Sequence, residues 1–225
     1  MIEAVLFDWT NTLVEWTWDD ELFAAGHRAA LAAVGSSADP SEFTERYRAV
    51  VLPRTGVPYT ELLRELGIED PDRFIDAEHE VWRPAHAVLG SAQALLDALH
   101  ARGVRTGVVA NAWPEPARVL RADAEAYGLA RHLDVLVFSD EVGSRKPEPG
   151  IFLAALDRLG VDATAAIYVG DRLATDVQGA ADVGMTTVQA LWFCADNTPS
   201  ETEPDFMAFT PMDVLNILRR LAPNG

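Results

Sequence analysis

Lys146 is the only lysine in a chain with 18 strong bases, and the other 17 are arginine. In so lysine-poor a composition a surface lysine tends to drift to arginine. A retained lysine points to a site that needs a compact ammonium rather than a planar guanidinium fork. It lies in the segment Gly143-Ser-Arg-Lys-Pro-Glu-Pro-Gly150. Two carboxylates accompany it. Asp8 closes the apolar run Val5-Leu6-Phe7, and Asp171 follows Ala166-Ile-Tyr-Val-Gly170. Carboxylates attract a hard cation, and an ammonium neutralises phosphate oxygens. Two carboxylates and one ammonium at the ends of separate strands therefore form a phosphate-and-metal constellation.

The elements that must position these groups follow from the hydrophobic pattern. Residues 2–8 read as a buried strand. From Trp18 to Trp82 the pattern is helical throughout. Phe43, Tyr47, Val50 and Val51 share one face, as do Phe74, Ile75, Glu78, Val81 and Trp82. Pro71 suits a helix start. After Pro84, strands and helices alternate. Ser91 is the expected N-cap of a helix carrying Leu95, Leu96 and Leu99 and ending at Gly103. Strand Val104–Ala110, a helix opening near Pro114, strand Asp134–Phe138 and helix Glu148–Leu159 follow. Strand Ala165–Gly170, helix Ala174–Val183, strand Thr186–Ala190 and helix Met212–Leu221 complete the chain. Alternation of this kind predicts an α/β fold with a doubly wound, Rossmann-like parallel sheet covered on both faces. The expected domains are a core of residues 1–16 and 86–225 and an inserted all-helical cap of residues 17–85. Ligands in such sheets bind at the carboxyl ends of the strands. Asp8, Asn111 and Asp171 fall there, with Lys146 in the loop after another strand.

Composition narrows the functions. The 225 residues are enough for one core plus an insertion. A formal net charge of -17 argues against a nucleic-acid or anionic-membrane partner. An anionic substrate would need a locally positive or metal-containing site. The single cysteine, Cys194, excludes an internal disulfide and fits a reducing cytoplasm. Its neighbours Trp192 and Phe193 favour a buried structural thiol. No run reaches 18 apolar residues, and the N-terminus has no leader pattern.

Four segments occur in order: Phe7-Asp-Trp-Thr-Asn-Thr-Leu13, Val108-Val-Ala-Asn111, Ser144-Arg-Lys-Pro-Glu-Pro149 and Val169-Gly-Asp-Arg-Leu-Ala-Thr-Asp176. Together they resemble the haloacid dehalogenase (HAD) superfamily, with a helical (C1-type) cap between the first and second motifs. Most members of that superfamily are magnesium-dependent phosphohydrolases. The resemblance implies that Asp8 is the nucleophile, forming an aspartyl-phosphate. It implies that Asp8, the backbone carbonyl of Thr10 and Asp171 hold Mg²⁺. Lys146 would neutralise phosphate charge and keep Asp8 ionised. Thr12 would hydrogen-bond the carboxylate or its turn, Asn111 would help bind the phosphate, and Asp176 would orient water or Lys146 from behind. Asn11 stands where a left-handed backbone is expected, which asparagine tolerates.

Two positions depart from the superfamily's phosphatase pattern. Thr10 stands where those enzymes carry a general acid/base aspartate, and the loss of acid–base catalysis costs ~10²–10⁴-fold. Ala110 stands where a phosphate-binding hydroxyl is usual. The expected activity is a phosphohydrolase for a small phosphorylated metabolite, slowed by Thr10. Two alternatives stand beside it: a metal-independent 2-haloacid dehalogenase, and a catalytically impaired binding protein. In the cap, Trp16, Trp18, His27, Arg46 and Arg54 are expected to serve packing or solvated surface rather than substrate.

Overall fold

The computed structural model describes residues 1–17, 19–193 and 202–221. The expectations for Trp18 and Cys194 lie outside the described residues. In chain order the elements are β1 (Ala4–Phe7), β2 (Val14–Trp16), α1 (Asp20–Ala33), α2 (Pro40–Val50), α3 (Tyr59–Glu65), α4 (Pro71–Trp82) and β3 (His86–Val88). There follow α5 (Gly90–His100), β4 (Arg105–Ala110), α6 (Ala117–Ala126), β5 (Val135–Phe138), α7 (Ser139–Val142), α8 (Pro149–Leu159) and β6 (Ala166–Gly170). The chain continues with α9 (Gln178–Asp182), β7 (Thr186–Ala190), β8 (Phe206–Ala208) and α10 (Asp213–Leu221). Two compact units result. One comprises Met1–Glu15, Val88–Asn111 and Arg121–Gly225; the other comprises Trp16–Ala87 and Ala112–Leu120.

The first unit is built on a six-stranded sheet in the order β5-β4-β1-β6-β7-β8, parallel throughout. Its central strands are continuous apolar runs with no polar face, as a sheet covered on both sides requires. Leu6, Val109 and Tyr168 join Ile151, Phe152 and Leu156 of α8 in one buried cluster. Register places Phe7 opposite Val108 of β4 and Val169 of β6. The carboxyl ends of these three strands therefore finish together, and the residues just beyond them share one place.

Several sequence expectations need adjusting. Ser91 is not an N-cap: the cap is two residues earlier, at Leu89, whose backbone is extended and gives no side-chain cap. The helix expected near Pro114 starts at Ala117. The helix expected from Ala174 opens instead as a π-helical turn, Leu173–Val177, before α9. The short strands β2 and β3, which pair with each other, and the edge strand β8 carry too few residues for a visible period.

The second unit packs Phe23, Leu31, Phe43, Tyr47, Phe74 and Trp82 into its own core. Helices α1 and α4 approach closely because Gly26 lacks a side chain, for a Cβ there would lie 2.2 Å from Trp82 Nε1. A buried polar chain runs through this core. The Thr44 hydroxyl donates to the Pro40 carbonyl (2.8 Å), so its lone pair must accept from His27 Nδ1–H (2.8 Å). His27 Nε2 is then the acceptor in the neutral ring, and it faces Glu78 Oε1 at 3.2 Å. Glu78 is the protonated member of the pair, and its other oxygen accepts from Tyr59 (2.8 Å). Burial pushes His27 down to about 3 and holds Glu78 well above the carboxylate range, against the hydrogen bond from Tyr59. Arg54 pairs with Glu65 on the surface.

Candidate active site

Asp8 follows β1 directly, and its backbone N–H donates to the Val169 carbonyl of β6 at 2.9 Å. The chain then turns sharply back. Leu13 and Val14 N–H both donate to the Trp9 carbonyl, and Asn11 takes the left-handed conformation at φ 57. Asparagine meets that backbone demand at little cost. Thr10 is half-buried in this turn, its backbone bridged to Val14. Thr12 is fully buried. Its carbonyl accepts from Trp192 Nε1 at 3.0 Å, while its hydroxyl makes no hydrogen bond to the described residues. The Thr12 hydroxyl thus does not bond the Asp8 carboxylate, and the bond from Thr12 to the turn is its backbone N–H donating to the Trp9 carbonyl at 3.4 Å.

Lys146 is only 4% exposed, unlike an ordinary surface lysine. All three of its ammonium protons have acceptors: Asp8 Oδ1 at 2.6 Å, Asp176 Oδ1 at 2.6 Å and the Tyr168 hydroxyl at 2.9 Å. Burial alone would lower the ammonium, but Asp176 and Asp8 outweigh it and hold Lys146 above the lysine range. The lysine is charged at neutral pH. Asn111 secures the backbone behind it. Its Oδ1 accepts from Lys146 N–H (2.8 Å), and its Nδ2 donates to the Lys146 carbonyl (3.1 Å). Both ends of this amide are thus engaged with the lysine loop. Ala110, the residue before it, is buried and offers no hydroxyl.

Asp176 is completely buried in the π-helical turn after β6. Its Oδ2 accepts from Arg172 N–H at 3.0 Å, so both oxygens are in use. Burial raises it above the usual carboxylate range, against the pull of Lys146. Gly170 permits this arrangement, since a Cβ there would lie 2.5 Å from Asp176 Cγ. Asp171, next in sequence, is 3% exposed. Burial, with repulsion from Asp8 and Asp176, pushes it up to about 7.

Asp8, Asp171 and Asp176 each offer a carboxylate oxygen, all within 4.8 Å of one another. Such a set of hard oxygen donors fits a divalent cation, which would offset the repulsion that raises Asp171. Because Asp176 is turned to Lys146 and Arg172, Asp8 and Asp171 are the ligands left to face a metal. The structure thus gathers Asp8, Asn111, Lys146, Asp171 and Asp176 around the ends of β1, β4 and β6. The sequence reading overlooked Tyr168, because a tyrosine inside an apolar strand looks like core.

A family model described as haloacid dehalogenase-like hydrolase matches residues 2–184. The glyceraldehyde 3-phosphate phosphatase of Methanopyrus kandleri is 30% identical, over 99% of this chain and 99% of its own. A HAD phosphatase from Thermococcus onnurineus has a similar structure, with TM-score 0.73, 25% identity and coverage of 96% and 98%. A 2-haloacid dehalogenase from Pseudomonas syringae shares the fold at TM-score 0.72 and 23% identity, covering 99% and 100%.

Proposed function

The chain belongs to the haloacid dehalogenase-like hydrolase family, and we propose that it is a Mg²⁺-dependent phosphohydrolase working through an aspartyl-phosphate on Asp8. One observation carries the reading: a buried ammonium sits 2.6 Å from the Asp8 carboxylate, and a second buried carboxylate, Asp171, offers an oxygen within 4.8 Å of one from Asp8. A charged lysine and a paired-carboxylate metal site suit a polyanionic phosphoryl group.

Asp8, Asp171 and the backbone carbonyl of Thr10 would hold Mg²⁺, which when bound supplies positive charge beside the phosphoryl oxygens. Lys146, hydrogen-bonded to Asp8, faces the same oxygens. An Asp8 carboxylate oxygen forms a bond to phosphorus as the bond from phosphorus to the leaving oxygen breaks. The leaving group departs with the electron pair. Water then attacks phosphorus, Asp8 is released as a carboxylate, and inorganic phosphate leaves. Asp176 and Asn111 act through Lys146, one on its ammonium and one on its backbone. Thr10 has a hydroxyl that does not ionise near neutrality, so it cannot hand a proton to a poor leaving group. Turnover is accordingly slow on alkyl phosphates and faster where the leaving group needs no proton.

The substrate class is a small phosphorylated metabolite, in keeping with relatives such as the Methanopyrus kandleri phosphatase. Among the described residues no helix is long and apolar enough to cross a membrane. A cytoplasmic setting suits a chain with a single cysteine. The test is phosphate release from a panel of phosphomonoesters, with Mg²⁺ or with EDTA, for the wild type and Asp8→Asn. Release that needs both the metal and Asp8 supports the reading. Metal-independent halide release from a 2-haloacid would replace it with the dehalogenase reading, and neither release would leave a binding protein.

A further inference from the structure

We infer that Tyr168 is a positioning residue for Lys146: its hydroxyl, anchored on the Val109 carbonyl, takes one ammonium proton and fixes the direction in which the ammonium faces Asp8. The inference rests on the phosphohydrolase reading for its catalytic consequence, but its geometry stands alone. Two carboxylate oxygens leave an ammonium free to swing about the line joining them. A third acceptor removes that freedom, and the Tyr168 hydroxyl at 2.9 Å is that acceptor. Being neutral, it orients the ammonium without drawing its charge from Asp8.

The hydroxyl is itself held. Its own proton has the Val109 carbonyl as nearer acceptor at 2.8 Å and Asp176 Oδ1 as the farther at 3.4 Å, and with either one a lone pair is left for the lysine. Tyr168 stands opposite Leu6 of β1, and Val109 lies on β4, the strand on the far side of β1. The side chain therefore spans three strands whose ends carry Asn111, Asp8 and Asp171. Its ring meets Phe152 of α8 edge-on at 5.1 Å between centroids. Asn111 grips the lysine backbone and Tyr168 grips the ammonium, so the residue is clamped at both ends.

The composition supplies a clean probe. With a single lysine, tag-free protein labelled with ¹³C,¹⁵N-lysine gives one side-chain signal, that of Lys146. In Tyr168→Phe, which keeps the ring, this signal should move. With p-nitrophenyl phosphate and Mg²⁺, kcat should fall ~10–100-fold with KM held within about twofold. A folded Tyr168→Phe with wild-type kcat and an unmoved lysine signal would overturn the inference. Should that variant not fold, the wild-type chain made with 3-fluorotyrosine at its four tyrosines replaces it. The weaker hydroxyl acceptor should move the lysine signal, and an unmoved signal would overturn the inference. The spectrum needs no turnover, so wild-type protein that releases no phosphate counts against the phosphohydrolase reading separately.

Discussion

At the scale of single residues, the proposed mechanism puts the limit on turnover at Thr10. Asp8, Lys146 and Asp171 are gathered at the strand ends, but the turn after Asp8 offers a hydroxyl where, in that mechanism, a titratable proton carrier would shorten both steps. Thr10→Asp should raise kcat on alkyl phosphomonoesters, recovering part of the ~10²–10⁴-fold that general acid–base catalysis contributes. The gain should be smallest for p-nitrophenyl phosphate, whose leaving group departs unprotonated. Steady-state kinetics on an alkyl and an aryl phosphate check this. Equal or lower kcat on both would show that Thr10 is not the defect. Asn111 shows how a residue's place can be legible while its contacts are not. It was expected at the strand end and lies there, yet both ends of its amide bind the backbone of a residue 35 positions away. Only the folded loop brings the two together.

At the scale of elements, the shared ends of β1, β4 and β6 place the site, and the π-helical turn after β6 completes it. Asp8 and Asp171 were legible because each follows a short apolar run, which marks the carboxyl end of a buried strand. Lys146 was legible through composition and through the segment Ser144-Arg-Lys-Pro-Glu-Pro149. The π turn was not, since its residues carry an ordinary helical pattern, and the extra residue that turns Asp176 inward leaves no periodic trace. Gly170 was equally silent, for a glycine at a strand end reads as a loop. Its role is the close approach of Asp176, so Gly170→Ala must displace that carboxylate from Lys146. Overpacking of this kind costs ~1–3 kcal/mol. We expect a lowered melting temperature and a loss of kcat of about tenfold or more, the cost of misplacing a charged group at the site. Thermal melting and phosphate release measure the two effects. A variant active at the wild-type level would show that Asp176 is not needed where it stands.

At the scale of the whole molecule, stability should depend on pH through the buried His27–Glu78 pair of the helical unit. In the folded chain the pair keeps one proton, on Glu78. Unfolded, it holds two below about 4.5, one between about 4.5 and 6.5, and none above. The folded and unfolded pairs therefore hold equal protons between about 4.5 and 6.5, and the pair adds no slope there. Above about 6.5 the folded state binds one more proton, so stability falls by ~1.4 kcal/mol per pH unit until Glu78 ionises. Below about 4.5 the unfolded state binds one more, and stability falls on acidification. Glu78→Gln mimics the neutral acid and keeps an oxygen that can accept from Tyr59. It should match the wild type near pH 4 and exceed it at pH 8. Urea unfolding at the two pH values checks this. A glutamine variant less stable than wild type at pH 8 would mean that Glu78 is ionised in the fold.

The account depends most on Asp8 forming a bond to phosphorus. The most direct test is the intact-protein mass after incubation with acetyl phosphate and Mg²⁺, for the wild type beside Asp8→Asn, with phosphate release followed in parallel. We predict a Mg²⁺-dependent gain of about 80 Da in the wild type, persisting because Thr10 slows hydrolysis and absent from Asp8→Asn. Neither adduct nor phosphate release in the wild type, or an adduct that survives Asp8→Asn, would contradict the account.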